Sequence, residues 1–290
     1  MNYETLWHRL TTIYDANEAK AIVRLVLDAR FGLSWTDVIC GKVENLSDDE
    51  KQELEGITQR LETGEPVQYV LGQAEFGGRT FHVEPGVLIP RPETYELCQW
   101  VWEEGRKRKV EGDYNILDIG TGSGCIACTL ASEIPNAKVT AWDISDDALR
   151  IAAENAKRTH VQVSFEKMDI LNIPHSSFDF VELNLLSSHY SLIVSNPPYI
   201  CNKERNAMER NVLEHEPELA LFVPDDDPLL FYRAIARYAA KTLKPHGTLY
   251  FEINPLYVNE MQQMLSDEGF THTEIKNDQF GKQRFTKSCL

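Results

Sequence analysis

From residue 114 onward the chain alternates between two periods, and that alternation limits the fold more than any other feature. Strand-like runs stand at YNILDIG, KVTAWDI, VQVSFEKMD, YSLIVSN, GTLYFEI, FTHTEIKND and QRFTKSCL. Helix-like runs fall among them at CIACTLASEI, SDDALRIAAENAKR, DPLLFYRAIARYAAKTL and YVNEMQQMLSDEG. Repeated strand and helix predict an α/β fold with a parallel sheet covered on both faces. The last two strands are joined only by the turn QFGK, which is too short for a crossover, so that pair is predicted antiparallel. Ser145 is the predicted N-cap of the second helix, with Asp146 and Asp147 in its first turn.

The first part of the chain has a different rhythm. Residues 1–73 read as a small helical bundle, with Leu6, Leu10, Ile13, Ile22, Leu25 and Val26 at helical spacing. Phe31-Gly32 reads as a helix stop. Ser47 and Glu50 form a capping box ahead of the stripe Leu54, Ile57 and Leu61, and Gly64 ends that helix. Residues 74–90, AEFGGRTFHVEPGVLIP, place Gly77-Gly78 between two β-prone pieces, which reads as a hairpin connector. Residues 91–290 then form the α/β domain.

Bulk properties exclude several classes. Hydrophobic residues make up 42% of 290, enough for a substantial core. No apolar run approaches a membrane span, and the acidic, amphipathic N-terminus MNYETLWHRL is unlike a secretory signal. A soluble cytoplasmic protein is expected. With 29 basic against 45 acidic residues the net charge is −16, which repels phosphate backbones. The one dense basic run, Arg106 to Lys109, is flanked by Glu103, Glu104, Glu111 and Asp113. It reads as a solvated helix end rather than a nucleic-acid contact. The six cysteines show no zinc spacing, and Cys125 and Cys128 read as small buried thiols behind a glycine loop. No metal site is expected.

That loop, LDIGTGSGCIA, follows the first strand and opens a helix. Gly120, Gly122 and Gly124 permit a tight turn and let a ligand approach the backbone. The loop lacks both a phosphate-loop Lys-Ser/Thr and the G-x-G-x-x-G of a dinucleotide site, since residue 125 is cysteine. Asp143 ends the second strand, where a carboxylate can accept both hydroxyls of a ribose. Asp169 and Ile170 end the third strand. Asp169 could accept from an adenine amino group, or it could be an ordinary turn acid. This set suits a nucleoside without phosphates, which points to S-adenosylmethionine.

The fourth strand ends in Asn196-Pro197-Pro198-Tyr199. If strands one and four are neighbours, this stretch and the glycine loop face one crevice. A planar NH2 group attacking a methyl sulfonium is a poor nucleophile that must lose a proton. The Asn196 side-chain oxygen and the Pro197 carbonyl can accept its two N–H bonds. Pro198 stiffens the backbone, and Tyr199 offers a flat face. No metal or strong base is then needed.

NPPY together with DIGTGSG resembles the amino-methyltransferases that act on planar NH2 groups. VLIPRPET, QYVLGQAEFGGRTFHV, EPELAL and FYRAI narrow the resemblance to the bacterial release-factor glutamine methyltransferases, the HemK/PrmC family. It covers nearly the whole chain. It implies an S-adenosylmethionine-dependent methyltransferase (Rossmann-like) domain with a seven-stranded, mostly parallel sheet, preceded by a small all-α domain that docks substrate. The implied substrate is the glutamine of the Gly-Gly-Gln loop in peptide chain release factors, and the implied product is N5-methylglutamine. Gly120, Thr121, Gly122, Ser123, Gly124 and Asp143 would bind the cofactor, with Asp169 and Ile170 near its adenine. Asn196, Pro197, Pro198 and Tyr199 would hold the substrate amide, Asn196 also facing the cofactor. Arg91, Pro92 and Thr94 would close over the cofactor side. A monomer with a protein substrate, no direct nucleic-acid substrate and no membrane is the accompanying expectation. The alternative is an adenine-N6 methyltransferase acting on nucleic acid. The sequence departs from the family at Tyr95, where an acid is usual, in the long link 171–190, and at FVPDDDPL, which replaces a glycine-rich turn.

Overall fold

The computed structural model describes residues 1–107, 114–173 and 190–290. Arg108, Lys109 and most of the 171–190 link lie outside the described residues. By compactness the chain divides into two units. One holds Met1–Gln73, Val83–Pro85 and Met208–His215; the other holds Ala74–His82, Gly86–Ala207 and Glu216–Leu290. The hairpin read as a connector therefore groups with the second unit.

The first unit begins with α1 (Tyr3–Leu10), α2 (Ala16–Phe31), α3 (Trp35–Ile39), α4 (Asp48–Glu62) and α5 (Val67–Leu71). Local chemistry sets the ends. Asp15 accepts from the N–H groups of Asn17 and Glu18 to start α2, and Gly32, at φ 64°, stops it. Ser47 and Glu50 form the expected capping box of α4. Leu6, Leu10, Val26, Leu27, Leu54 and Leu61 are buried together in its core. Arg9 of α1 holds Glu55 and Glu62 of α4 at 2.7–2.9 Å. Two expected core residues are instead exposed. Ile13 lies beyond the end of α1, and Leu25 faces outward because α2 buries the stripe Ala19, Ile22, Val23, Val26 and Leu27.

The second unit opens with the hairpin β1 (Gln73–Phe76) and β2 (Arg79–His82), turned by Gly77 and Gly78 at φ 58° and 74°. Next come α6 (Pro92–Lys107), β3 (Tyr114–Ile119), α7 (Cys125–Glu133), β4 (Ala137–Asp143), α8 (Asp146–Arg158), β5 (Val163–Lys167) and β6 (Tyr190–Ser195). After the short β7 (Ile200–Cys201), α9 (Arg210–His215) belongs to the first unit. The chain then forms α10 (Glu218–Leu221), β8 (Phe222–Val223), α11 (Leu230–Thr242), β9 (Leu243–Glu252), α12 (Val258–Asp267), β10 (His272–Asn277) and β11 (Gln283–Cys289).

The main sheet has the order β10-β11-β9-β6-β3-β4-β5. Its strands are the seven read from the sequence. β5, β4, β3, β6 and β9 run parallel, while β11 is antiparallel to both β9 and β10. β6 is buried at every position, as a central parallel strand must be. One core packs α6 and α7 on one face of the sheet, and a second packs α11 and α12 on the other. The chain order reverses between β3 and β6, which opens a crevice at the carboxyl ends of the strands. Ser195 Oγ donates to the Ile119 carbonyl at 2.6 Å and ties those two strand ends together.

Candidate functional site

At that crevice lies a cavity of about 420 Å³, within the range of small-molecule sites. Most of the expected cofactor residues line it: Gly120 to Ser123, Asp143, Asp169, Ile170, Asn196, Arg91 and Thr94. Pro197 and Pro198 join them. Pro92, Gly124 and Tyr199 stand outside the lining.

The glycine loop divides its work between ligand and packing. Gly120 and Gly122 have positive φ, 74° and 54°, and a Cβ on either would project into open space. Their backbone is therefore bare toward the cavity. A Cβ on Gly124 would instead lie 2.9 Å from Ala152 Cβ, so this glycine lets α7 sit close to α8. The N–H groups of Gly120 and Thr121 both bond the Trp142 carbonyl at 2.9 Å. Below the loop, Thr121 Oγ1 donates to Asp118 Oδ2 at 2.6 Å. Asp118 is fully buried, and among the described residues its other oxygen meets no hydrogen-bond partner of good geometry. Burial pushes its carboxyl up to about 7, against the pull of the Thr121 hydroxyl.

Asp143 accepts from Gly122 N and Ser145 N, both at 2.9 Å. It thus fixes the loop, and an ionised carboxylate has lone pairs left for two hydroxyls. Burial raises its pKa, and the backbone N–H groups of Ser145, Gly122 and Ile144 draw it back. Asp169 makes the turn that the alternative reading assigned to it. Its oxygens accept from Leu171 N and Asn172 Nδ2, while its residue still borders the cavity beside Ile170. Bare glycine backbone, an adjacent carboxylate and the apolar walls of Ile144, Met168 and Ile170 fit S-adenosylmethionine, a nucleoside joined to an amino acid.

The Asn-Pro-Pro-Tyr stretch is held by a buried network. Asn196 Nδ2 donates to Thr94 Oγ1 at 3.1 Å, and Thr94 Oγ1 donates to Glu252 Oε2 at 2.7 Å. The Tyr199 hydroxyl donates to Glu252 Oε1 at 3.1 Å. Asn254 Nδ2 donates to the Tyr199 carbonyl at 3.1 Å. Glu252 is 2% exposed. Burial raises its pKa, countered by the Thr94 hydroxyl, the Arg284 charge and the Tyr199 hydroxyl. Burial and the charge of Glu252 hold the Tyr199 phenol far above its ordinary value, so it remains a donor.

The rim is also tied. Arg91 pairs with the buried carboxylate of Glu216, which also accepts from Ile89 N. Pro92 opens α6, where its fixed φ suits the first turn. Tyr95 turns away from the cavity into an edge-to-face cluster with Phe76 and Trp102. A Cβ on Gly77 would overlap its ring, so the glycine makes room for this tyrosine. In FVPDDDPL, Asp225 accepts from Lys203 N and Asp227 pairs with Arg233.

Cys125 and Cys128 are buried, and burial pushes both thiols up to about 12, so they remain protonated packing groups. Arg106 bonds the carbonyl and carboxylate of Glu133, in keeping with a solvated helix end. Asp118, Glu216, Glu252 and Asn254 were not singled out by the sequence. Asp118 and Glu252 carried a signal nonetheless, each an acid inside an apolar strand run, NILDIG and GTLYFEI.

Residues 111–270 match the family model described as "Methyltransferase domain", and residues 8–72 match "PrmC N-terminal domain". A protein of Bacteroides thetaiotaomicron named release factor glutamine methyltransferase is 45% identical, over 98% of both chains. One of the same name from Flavobacterium psychrophilum is 39% identical, over 99% of this chain and 97% of its own. Among solved structures, the "delta-N METTL16 MTase domain" superposes with a TM-score of 0.51 at 16% identity. That match covers 79% of this chain and 96% of the other, and it speaks to the fold alone. With 39–45% identity over nearly the full length of these relatives added to the glycine loop, its partner acid and the anchored Asn-Pro-Pro-Tyr turn, the chain belongs to the release factor glutamine methyltransferase family.

Proposed function

We propose that this chain transfers the methyl group of S-adenosylmethionine to the side-chain amide nitrogen of the glutamine in the Gly-Gly-Gln loop of release factors. Its relatives carry release factor glutamine methylation in their names. At the atomic level the reading rests on the bond from Asn196 Nδ2 to Thr94 Oγ1, which leaves Asn196 Oδ1 to accept from a substrate N–H.

When bound, the cofactor supplies an electrophilic methyl on a sulfonium. Backbone of Gly120, Thr121, Gly122 and Ser123 is the proposed seat of its amino-acid end. Asp143 accepts from the ribose hydroxyls, Asp169 and Ile170 border the adenine, and Arg91 and Thr94 border the cavity from α6. Asn196 Oδ1 and the Pro197 carbonyl hold the two N–H bonds of the glutamine amide, and Pro198 stiffens that turn. Tyr199 presents its ring with the hydroxyl pinned. As the new N–C bond forms and S–C breaks, nitrogen gains positive charge and both accepted N–H bonds strengthen, which lowers the barrier. The released proton passes to solvent.

The substrate is a protein, consistent with the net charge of −16. All six cysteines are free thiols, in keeping with a cytoplasmic protein. No described helix is long and apolar enough to cross a membrane. The chain is proposed to act as a monomer.

Methyl transfer from labelled S-adenosylmethionine tests the reading, with an intact release factor, a copy whose Gly-Gly-Gln glutamine is replaced, and DNA as acceptors. Label on the intact factor alone is expected. Label on DNA alone would move the activity to adenine.

A further inference from the structure

We propose that Glu252 and Thr94 are positioning residues that set which way the Asn196 amide faces. By doing so they make the acceptor site selective for a donor, an amide rather than a carboxylate. The inference rests on the methyl-transfer reading of the same site.

Hydrogen-bond direction sets the orientation of Asn196. An amide rotated by half a turn looks nearly the same but exchanges an acceptor for a donor. Something must therefore choose the orientation of Asn196. Glu252, when ionised, can only accept, and it faces two hydroxyls, those of Thr94 and Tyr199. Thr94 has a single proton and spends it on Glu252. Its oxygen can then only accept from Asn196, so the NH2 side must turn to Thr94. Oδ1 is left for the substrate.

The parts come from three separate pieces of the second unit: Thr94 from α6, Asn196 from the end of β6 and Glu252 from the end of β9. The carboxylate itself is well fixed. Tyr232 donates to the Glu252 carbonyl at 2.9 Å, and Arg284 lies near enough to lower its pKa. The groups facing it are Glu93, Cys98, Tyr199, Tyr232 and Arg284, and Arg284 alone among them is cationic. Two acceptors toward the substrate welcome the two N–H bonds of glutamine and repel the two oxygens of glutamate. A reversed Asn196 would present N–H and lose that discrimination.

Wild type, Thr94→Val, Thr94→Ser and Glu252→Gln decide the matter, with Asn196→Ala as a spectral reference. Thr94→Val and Glu252→Gln are expected to lower kcat at least tenfold, measured at saturating S-adenosylmethionine. Thr94→Ser, which keeps the hydroxyl, is expected to restore most of the turnover lost in Thr94→Val. A release factor with glutamate in place of the acceptor glutamine serves as inhibitor. The preference of wild type for glutamine over glutamate should shrink at least threefold in Thr94→Val. Equal turnover and equal preference in wild type and Thr94→Val would overturn the proposal while leaving the methyl-transfer reading intact. If wild type fails to methylate the factor, that reading falls instead, and the orientation is judged by nuclear magnetic resonance. The Asn196 side-chain NH2 pair, identified by its loss in Asn196→Ala, should exchange with water at least tenfold faster in Thr94→Val. An unchanged exchange rate would overturn the orientation.

Discussion

Asn196 and Asp143 border one cavity with different proposed duties, and their variants should separate accordingly. Asn196→Ala is expected to reduce kcat by about 10²-fold, a loss of the size seen when one transition-state hydrogen bond is removed, while calorimetry shows near-unchanged cofactor affinity. Asp143→Ala should weaken the cofactor by about 1.5–3 kcal/mol, the worth of hydrogen bonds to a charged group. The same carboxylate also anchors Gly122 N, so the variant should lower thermal stability too. Asp118 gives a prediction in pH. Its folded pKa of about 7 stands above the value near 3.8 of an exposed aspartate, so the folded state holds the proton more tightly. Its contribution to stability is therefore full below pH 4 and is lost as pH rises toward 7. Asp118→Asn removes that dependence. Denaturant unfolding of wild type and variant at pH 5 and pH 8 should show wild type losing ground to the variant at pH 8, by about 1.4 kcal/mol for each pH unit between 5 and the folded value.

Single residues were legible where the chemistry is local. Glycines in a turn and an asparagine before two prolines state their use in a few letters. The placing of Glu252 was not legible, because its partner Thr94 is 158 residues away and no short window contains both.

Among elements, period and length decided what could be read. All seven strands of the main sheet and most of the large helices show enough residues for a pattern, whereas α6 was read only at its basic end. β7 and β8 have two residues each, too few for any period, and they were missed. Ile13 and Leu25 fit a helical spacing yet lie exposed, since an apolar residue at the right interval can sit beside a stripe rather than in it. The close approach of α7 to α8 is testable. Gly124→Ala puts a Cβ 3.1 Å from the Ala152 backbone at a φ of 79°. Strain and overpacking should cost about 1–3 kcal/mol in chemical denaturation.

For the whole molecule, the alternation of strand and helix was enough to predict a parallel sheet and an antiparallel final pair. It did not show that the last strand is inserted inside the sheet. β11 lies between β9 and β10, with Phe285, Thr286 and Ser288 buried. Deleting residues 283–290 should therefore collapse the domain rather than trim it, seen as loss of the cooperative thermal transition by circular dichroism.

Sequence distance between the parts of the site also has a consequence in time. A ribosome adding about 5–20 residues per second needs on the order of 10–30 s to pass from Thr94 to Glu252. Only in the last third of that interval, once Asn196 has been added, does the nascent chain hold both the glycine loop and the asparagine, and nothing yet aims the asparagine. A newly made copy thus stays silent through most of its own translation, and it acquires the power to modify a partner only when its second half has joined the first.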